Sequence, residues 1–313
     1  MPLSTRRPVV IFDTSAVNAI YDDLDRDKKT DQLLNIYFPR LTFAVLDEIL
    51  ATPDAYRRAQ LFDLTLKLQN AGDCILPFHH LFINHVKAFV CEREYDWTVV
   101  NCRGNSLKKA IIDERHGLGD SLIEEQRKQN RELEYQFKRR FRDIRGRLQE
   151  DGRWKDRFPS LGSFISFGFA EDGPYWREAV AHVKRAIEIC REEEESKAQS
   201  DSKVIEKLKN AANEFCLRDA MRFAESSPPF RAHIYGIACS AYSRVHDPLL
   251  TSKQRETAAG RIDTFTSLYL PYCRYFVTND DGQFNCHNNV VALIGTETQV
   301  HIYRDFWQAL PYE

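Results

Sequence analysis

The chain has 313 residues, 43% of them apolar, enough to build one large domain or two ordinary ones on a sizeable core. Its 44 basic and 46 acidic residues leave a net charge of -2, so the total argues neither for nor against a nucleic-acid partner, although local distribution can. Only four apolar residues follow the first basic cluster, and no run approaches the roughly 20 needed to cross a bilayer, which argues against a secretory signal and a membrane span.

Residues 9–12, VVIF, form an apolar run too short for a helix and read as a buried parallel strand ending at Asp13. Thr14 and Ser15 follow, then Ala16, Val17, Ala19 and Ile20 at helical positions. Asp13 therefore either caps that helix or stands where open α/β sheets place their sites. Residues 22–31, DDLDRDKKTD, read as a charged turn, with a helical turn at Leu33, Leu34 and Tyr37. Residues 41–45, LTFAV, read as a second strand, and Glu48 stands at the start of a helix broken at Pro53. A helix is predicted from Asp54 through Ala55, Ala59, Phe62 and Leu66, stopped by residues 70–72, and a third strand at 74–77. Alternation of strand and helix favours a parallel sheet.

From about Leu118 the pattern becomes helical, with Asp120 as an N-cap. Leu133, Phe137, Phe141, Ile144 and Leu148 recur at steps of three and four, the stripe of one long helix. A second helix opens at Pro174 with Trp176, Val180, Val183, Ile187 and Cys190. A third carries Val204, Leu208, Ala211 and Phe215, with Pro228 and Pro229 as its stop. Residues 192–195, four glutamates, read as a solvated helix end. The α/β character then returns: residues 261–273 lead into a short strand at Tyr275, Phe276 and Val277, and residues 299–303 form another.

Two strands thus end in acids, Asp13 and Asp280, and Glu48 and Asp263 stand near helix starts. Carboxylates about 4 Å apart repel by roughly 4 kcal/mol per pair at an effective dielectric near 20, so convergence would require a cation. Hard oxygen ligands suit Mg2+ or Mn2+, which activate water and neutralise phosphodiesters. The eight cysteines show no CxxC or zinc spacing and read as free thiols of a reducing cytosol. His79, His80 and His116 have no partner at ligand spacing, Ser15 lies outside a GxSxG elbow, and phosphate-binding glycine loops are missing.

The order IFDTSAV, LDEIL and RIDTFTSLYLPYCRYFVTNDDG resembles the PIN domain nucleases over residues 1 to about 100 and 245–313. The resemblance implies an α/β/α sandwich with a central, mostly parallel sheet, formed by residues 1–118 and 245–313, with residues 119–244 as an α-helical insertion. It assigns Asp13, Glu48, Asp263 and Asp280 to a Mg2+ or Mn2+ site, with Asp281 as substitute or assistant to Asp280 and Thr278 as neighbour. Asp113, Asp120, Glu214, Asp219 and Asp247 are alternatives to Asp263. It implies cleavage of single-stranded RNA in the cytoplasm, and a toxin of a bacterial toxin-antitoxin or defence system, with an inhibitor or antitoxin protein and a homo-oligomer as partners.

Residues 127–157 carry twelve basic and six acidic side chains, so Arg139, Arg140 and Arg142 either track a nucleic-acid backbone or form a solvated helix face. Two rivals stand beside the nuclease. One is a degenerate PIN-like module that binds RNA or protein without cleaving. The other is a haloacid-dehalogenase-like phosphatase, which requires a second aspartate two residues after the first, where this chain has Ser15.

Overall fold

A computed structural model describes residues 7–69, 74–95, 101–102, 120–150, 158–247, 250–256 and 258–309. The helix stop at 70–72, Asp113, His116 and the basic residues 153, 155 and 157 lie outside the described residues, as do the side chains of Asp120, Arg127, Arg147 and Leu148. The fold is mixed α/β, mostly helical, around a small parallel sheet.

Strand β1 (Val9–Phe12) continues into helix α1 (Thr14–Asp22), and α2 (Arg26–Ile36) leads to strand β2 (Phe38–Arg40). Helices α3 (Phe43–Leu50) and α4 (Ala55–Leu68) follow, then β3 (Cys74–Ile75), α5 (Phe78–Val90) and β4 (Asn101–Cys102). The helical block comprises α6 (Asp120–Glu150), α7 (Leu161–Gly168), α8 (Pro174–Glu195), α9 (Ser202–Glu214), α10 (Leu217–Ser226) and α11 (Pro228–Ala241), the last running into a π turn at Tyr242–His246. Helix α12 (Ser252–Glu256), α13 (Arg261–Thr266) and a 3-10 turn at Ser267–Tyr272 return the chain to β5 (Tyr275–Thr278), α14 (Asp281–Ile294), β6 (Gln299–Ile302) and α15 (Tyr303–Gln308).

The four-stranded sheet has the order β2-β1-β5-β6, every neighbouring pair parallel. In register, Phe12 stands beside Val277, so the carboxyl ends of β1 and β5 lie side by side. Chain direction across the sheet reverses between these two strands, the position at which open α/β sheets form a crevice.

Pleating sends alternate residues to opposite faces. Val10, Phe12 and Val277 pack on one face with Val17, Ile20, Leu46, Phe62 and Phe306, whereas Ile11, Phe276 and Val300 pack on the other with Tyr269, Val290 and Leu268. Helix α11 is shared among three packed clusters, through Ala232 and Cys239, Phe230 and Ile234, and Ala238 and Ala241. Ten of its residues are buried, so it is a core element common to sheet and helical block.

Several sequence expectations need correction. The second strand is Phe38–Arg40 rather than 41–45; Thr42 caps α3 by accepting from the Val45 N–H at 3.5 Å, converting the apolar run that follows into helix. Pro39 is tolerated because β2 is an edge. Glu48 consequently lies in the second half of α3, not at a helix start. Strand β3 pairs antiparallel with β4 rather than joining the parallel sheet; among the described residues an isolated bridge links Ile75 to Thr42, and Ile75 packs with Ile11 and Phe276 beneath the sheet. Most of the charged segment 22–31 is helical, its buried face reduced to Thr30 and Leu33. The third predicted helix already ends at Glu214, α10 follows it, and Pro228 and Pro229 open α11 instead of stopping a helix, since proline fits the first helical turn where no N–H partner is needed. The glutamate run is not wholly solvated: Glu194 is buried and paired with Lys87 and Lys197.

At Gly236 a β-carbon would stand 2.6 Å from the Ser267 hydroxyl, so only glycine lets α11 approach the turn following α13. Substituting Gly236→Val should overpack this contact and cost about 1–3 kcal/mol of stability, read as a lower urea midpoint at unchanged slope.

Candidate active site

Asp13 ends β1 and caps α1. Its backbone N–H donates to the Val277 carbonyl at 3.0 Å, extending the ladder with β5 by one step. Its carboxylate accepts from the Ala16 N–H at 2.7 Å, the Thr278 hydroxyl at 2.7 Å and the Ser15 hydroxyl at 2.9 Å. The Ser15 oxygen in turn accepts from the Asn279 N–H at 2.6 Å, fastening the start of α1 to the end of β5. Asp13 is thus a helix cap and also a member of a larger group; one role does not displace the other.

Glu48 reaches the same region from α3 and accepts from the Thr14 hydroxyl. Asp263 stands in the first turn of α13, where its carboxylate accepts from the Gly260 N–H at 2.6 Å. Asp280 caps α14 by accepting from the Gln283 N–H at 2.7 Å, while its own N–H donates to Thr278 at 3.0 Å. The four predicted acids therefore come from the ends or neighbours of β1 and β5, and each is fixed by a local hydrogen bond.

They act on one another electrostatically. Burial pushes the Asp13 carboxyl up to about 7, against the lowering effect of its hydrogen-bond donors, and the charge of Asp263 adds to the rise. Glu48 is likewise pushed up to about 7, by burial first, with Thr14 opposing and with Asp263, Asp13 and Asp47 adding repulsion. Asp263 is pushed up to about 6 by burial; the Gly260 N–H opposes, Asp280 and Glu134 add repulsion, and Arg244 offsets part of it. Among the described residues no lysine, arginine or histidine forms an ion pair with any of the four.

The donor chemistry of Asp13, Glu48 and Asp263 fits a hard divalent cation, because desolvated like-charged oxygens with no cationic side chain in contact among the described residues lack a counter-charge, while Asp280 stands exposed at the edge of the group. Among the described residues, however, no three His, Cys, Asp or Glu side chains are close enough to hold an ion as they stand. Asp281 is exposed at the first position of α14, and it is the neighbouring Asp280 whose charge is felt at Asp263. Of the alternatives to Asp263, Asp219 caps α10 by accepting from Cys216. Arg140 pairs with Glu178 at 2.7 Å and Arg139 stands 3.8 Å from Asp143, so both are engaged within the helical block.

Sequence reading missed the polar residues behind the acids. Thr278 also contacts the Gln283 side-chain oxygen at 2.9 Å, and the Gln283 amide donates to Thr266 at 2.9 Å. His287, wholly buried beneath α13, lies 3.0 Å from the Asp263 carbonyl and 3.3 Å from Thr266, and burial pulls it down to about 4, so it stays neutral. A fifth acid arrives from the long helix: Glu134 accepts from the Arg261 N–H at 2.9 Å at the start of α13. None of these has a motif; only the FVT pattern before Asp280 hinted at Thr278.

On its other side α13 borders a cavity of about 880 Å3, to which it contributes Arg261, Thr264 and Phe265, with Phe137 and Tyr175 from the helical block opposite. Helices of the helical block together with α5, rather than the sheet, line that side of α13.

No protein-family model matches the chain, and neither a curated protein nor a solved structure matches it. Among the described residues no helix is long and apolar enough to cross a membrane.

Asp13, Glu48 and Asp263 all carry raised values, so the folded chain holds their protons more tightly than the unfolded chain does. Their favourable contribution is complete below about pH 4 and is lost as pH rises through 6 to 7. In the presence of a chelator, Asp13→Asn should therefore be more stable than wild type at pH 8 and lose that advantage at pH 4, measured as urea midpoints of the two proteins.

Proposed function

We propose that this protein is a metal-dependent nuclease with a PIN-like core, acting on single-stranded RNA. The observation that carries the reading is the mutual repulsion of Asp13, Glu48 and Asp263, all with raised carboxyl values, and of Asp263 with Asp280, beside the β1/β5 reversal of a parallel sheet. Sheet order, the position of the acids at strand ends and the all-oxygen donor set support it together.

Asp13, Glu48, Asp263 and Asp280 would hold Mg2+ or Mn2+, with water completing the shell. When bound, the ion supplies Lewis-acid activation of water and neutralises charge on the phosphodiester. The chain's own contribution is positional. Thr278 and Ser15 fix both oxygens of Asp13, Thr14 fixes Glu48, and the Gly260 N–H fixes Asp263, so each carboxylate starts from a defined position, from which the side chains would have to close in on an entering cation. Thr278 shares one hydroxyl proton between Asp13 and Gln283, so a change of charge at Asp13 is transmitted to Gln283 and Thr266.

A second reading, a module that binds RNA or protein without cleaving it, is favoured by the lack of three ligands at coordinating distance among the described residues. The phosphatase reading fares worse. The position that would carry its general acid is Ser15, whose hydroxyl donates to Asp13.

Purified protein with Mn2+ or Mg2+ should cleave a single-stranded RNA, and Asp13→Asn should reduce cleavage to the level of the enzyme-free control while leaving circular dichroism unchanged. Equal cleavage by both proteins overturns the assignment of Asp13. Cation binding should also raise the melting temperature at pH 8 and have no effect at pH 5, because protons occupy the Asp13 and Glu48 carboxylates there. A module that only binds RNA would show neither cleavage nor a cation-dependent melting shift.

A further inference from the structure

A second cavity, of about 280 Å3, is lined by Lys138, Phe141, Arg142, Arg145, Arg244 and Arg255. Five of its six lining side chains are cationic. Lys138 stands 3.2 Å from Glu134. Among the described residues neither Arg142 nor Arg145 meets an acid.

Arg244 is 6% exposed, and its guanidinium is spent on backbone carbonyls. It donates from Nε to Ala259 at 3.2 Å, from Nη1 to Arg255 at 3.3 Å, and from Nη2 to Ala258. Arg255, also buried, donates to the carbonyls of Leu250 and Asp247. Carbonyl oxygens orient these guanidinium groups, while Asp247 acts on Arg255 and Glu134 and Asp263 act on Arg244, offsetting part of their charge. Arg145 and Arg255 repel each other, and burial lowers the proton affinity of both Arg244 and Arg255. Like charges gathered in a cavity are destabilising until an anion joins them. Guanidinium groups match the oxygens of a phosphate, and the volume is that of a group-sized site rather than a pocket for a whole drug-sized ligand.

The cavity is coupled to the carboxylate group. Arg244 acts on Asp263 and on Glu134, and Glu134 acts on Asp263. We propose that this basic cavity receives a phosphate group of the same strand whose scissile phosphodiester lies at Asp13, Glu48, Asp263 and Asp280. The proposal rests on the nuclease reading above and adds to it a place for a second phosphate of the substrate. Arg142 belongs to this site, whereas Arg139 and Arg140 do not line it.

The phosphate can be internal to the strand or at its end. Binding is measured by fluorescence anisotropy in the cleavage-silent Asp13→Asn background with Mn2+ present, using single-stranded oligonucleotides bearing either a 5′-phosphate or a 5′-hydroxyl. Reversing Arg142→Glu and Arg145→Glu together should weaken binding at least tenfold and make the salt slope shallower by roughly 0.7, the value of one phosphate contact on a single strand. A control with the same change of charge on the same helix, Arg131→Glu with Arg139→Glu, should produce a much smaller loss. A loss confined to the 5′-phosphorylated strand assigns the cavity to a terminal phosphate, and an equal loss for both assigns it to an internal one. Unchanged affinity, or a loss matched by the control, overturns the cavity while wild-type cleavage keeps the nuclease reading standing. Failure of the wild-type protein either to bind or to cleave any strand overturns both.

Discussion

A carboxylate buried at the end of a strand, with other carboxylates around it and no cation in contact, must be held by neutral donors. Asp13 is held by three, the Ala16 N–H, the Thr278 hydroxyl and the Ser15 hydroxyl, and much of the arrangement follows from them. Thr278 must end β5 beside Asp13, which requires the parallel register that places Phe12 opposite Val277. Ser15 must reach Asn279, which ties the first turn of α1 to the same strand end. The site is therefore a property of the β1/β5 seam, and the hydrophobic clusters on the two faces of the sheet are what keep that seam aligned.

The seam was largely legible in the sequence. Val9 to Phe12 and Tyr275 to Thr278 are short apolar runs ending in polar residues, a signal strong enough to fix both strands and the acids beyond them. Helix α8, with its proline at the first turn and apolar positions at helical spacing, was equally plain. Residues 41–45 were misread because a continuous apolar run serves a buried strand and a buried helix alike, and the capping hydroxyl of Thr42 decided between them. Pro228 was misread because proline ends one helix and begins another, and only the neighbouring cap, Ser227, distinguishes the two.

The polar residues behind the acids were not legible for a different reason. Thr14, Ser15, Thr266, Gln283 and His287 are ordinary residues whose spacing carries no periodic signal, and their meeting depends on long-range packing of α13 and α14 against the sheet. Glu194 shows the same limit: in a run of four glutamates nothing marks the one that turns inward to Lys87 on α5, more than a hundred residues away in sequence. Such pairings are set by tertiary structure and emerge only when the chain is folded.

The helical block is bound into the site through charge as well as packing. Glu134 from α6 accepts at the start of α13, Arg244 follows directly after α11, and both act on Asp263. Arg244 and Asp263 attract each other without forming an ion pair: Arg244 is occupied by carbonyls, and Asp263 by the Gly260 N–H. Had they paired, each would have satisfied the other and left nothing for a ligand. Held apart, the acids retain a demand for a cation and the arginines a demand for an anion, in adjoining parts of one region. On the nuclease reading proposed above, a phosphodiester accompanied by a divalent ion would answer both demands at once, and the separation of the two charge groups by the fold would be what allows it.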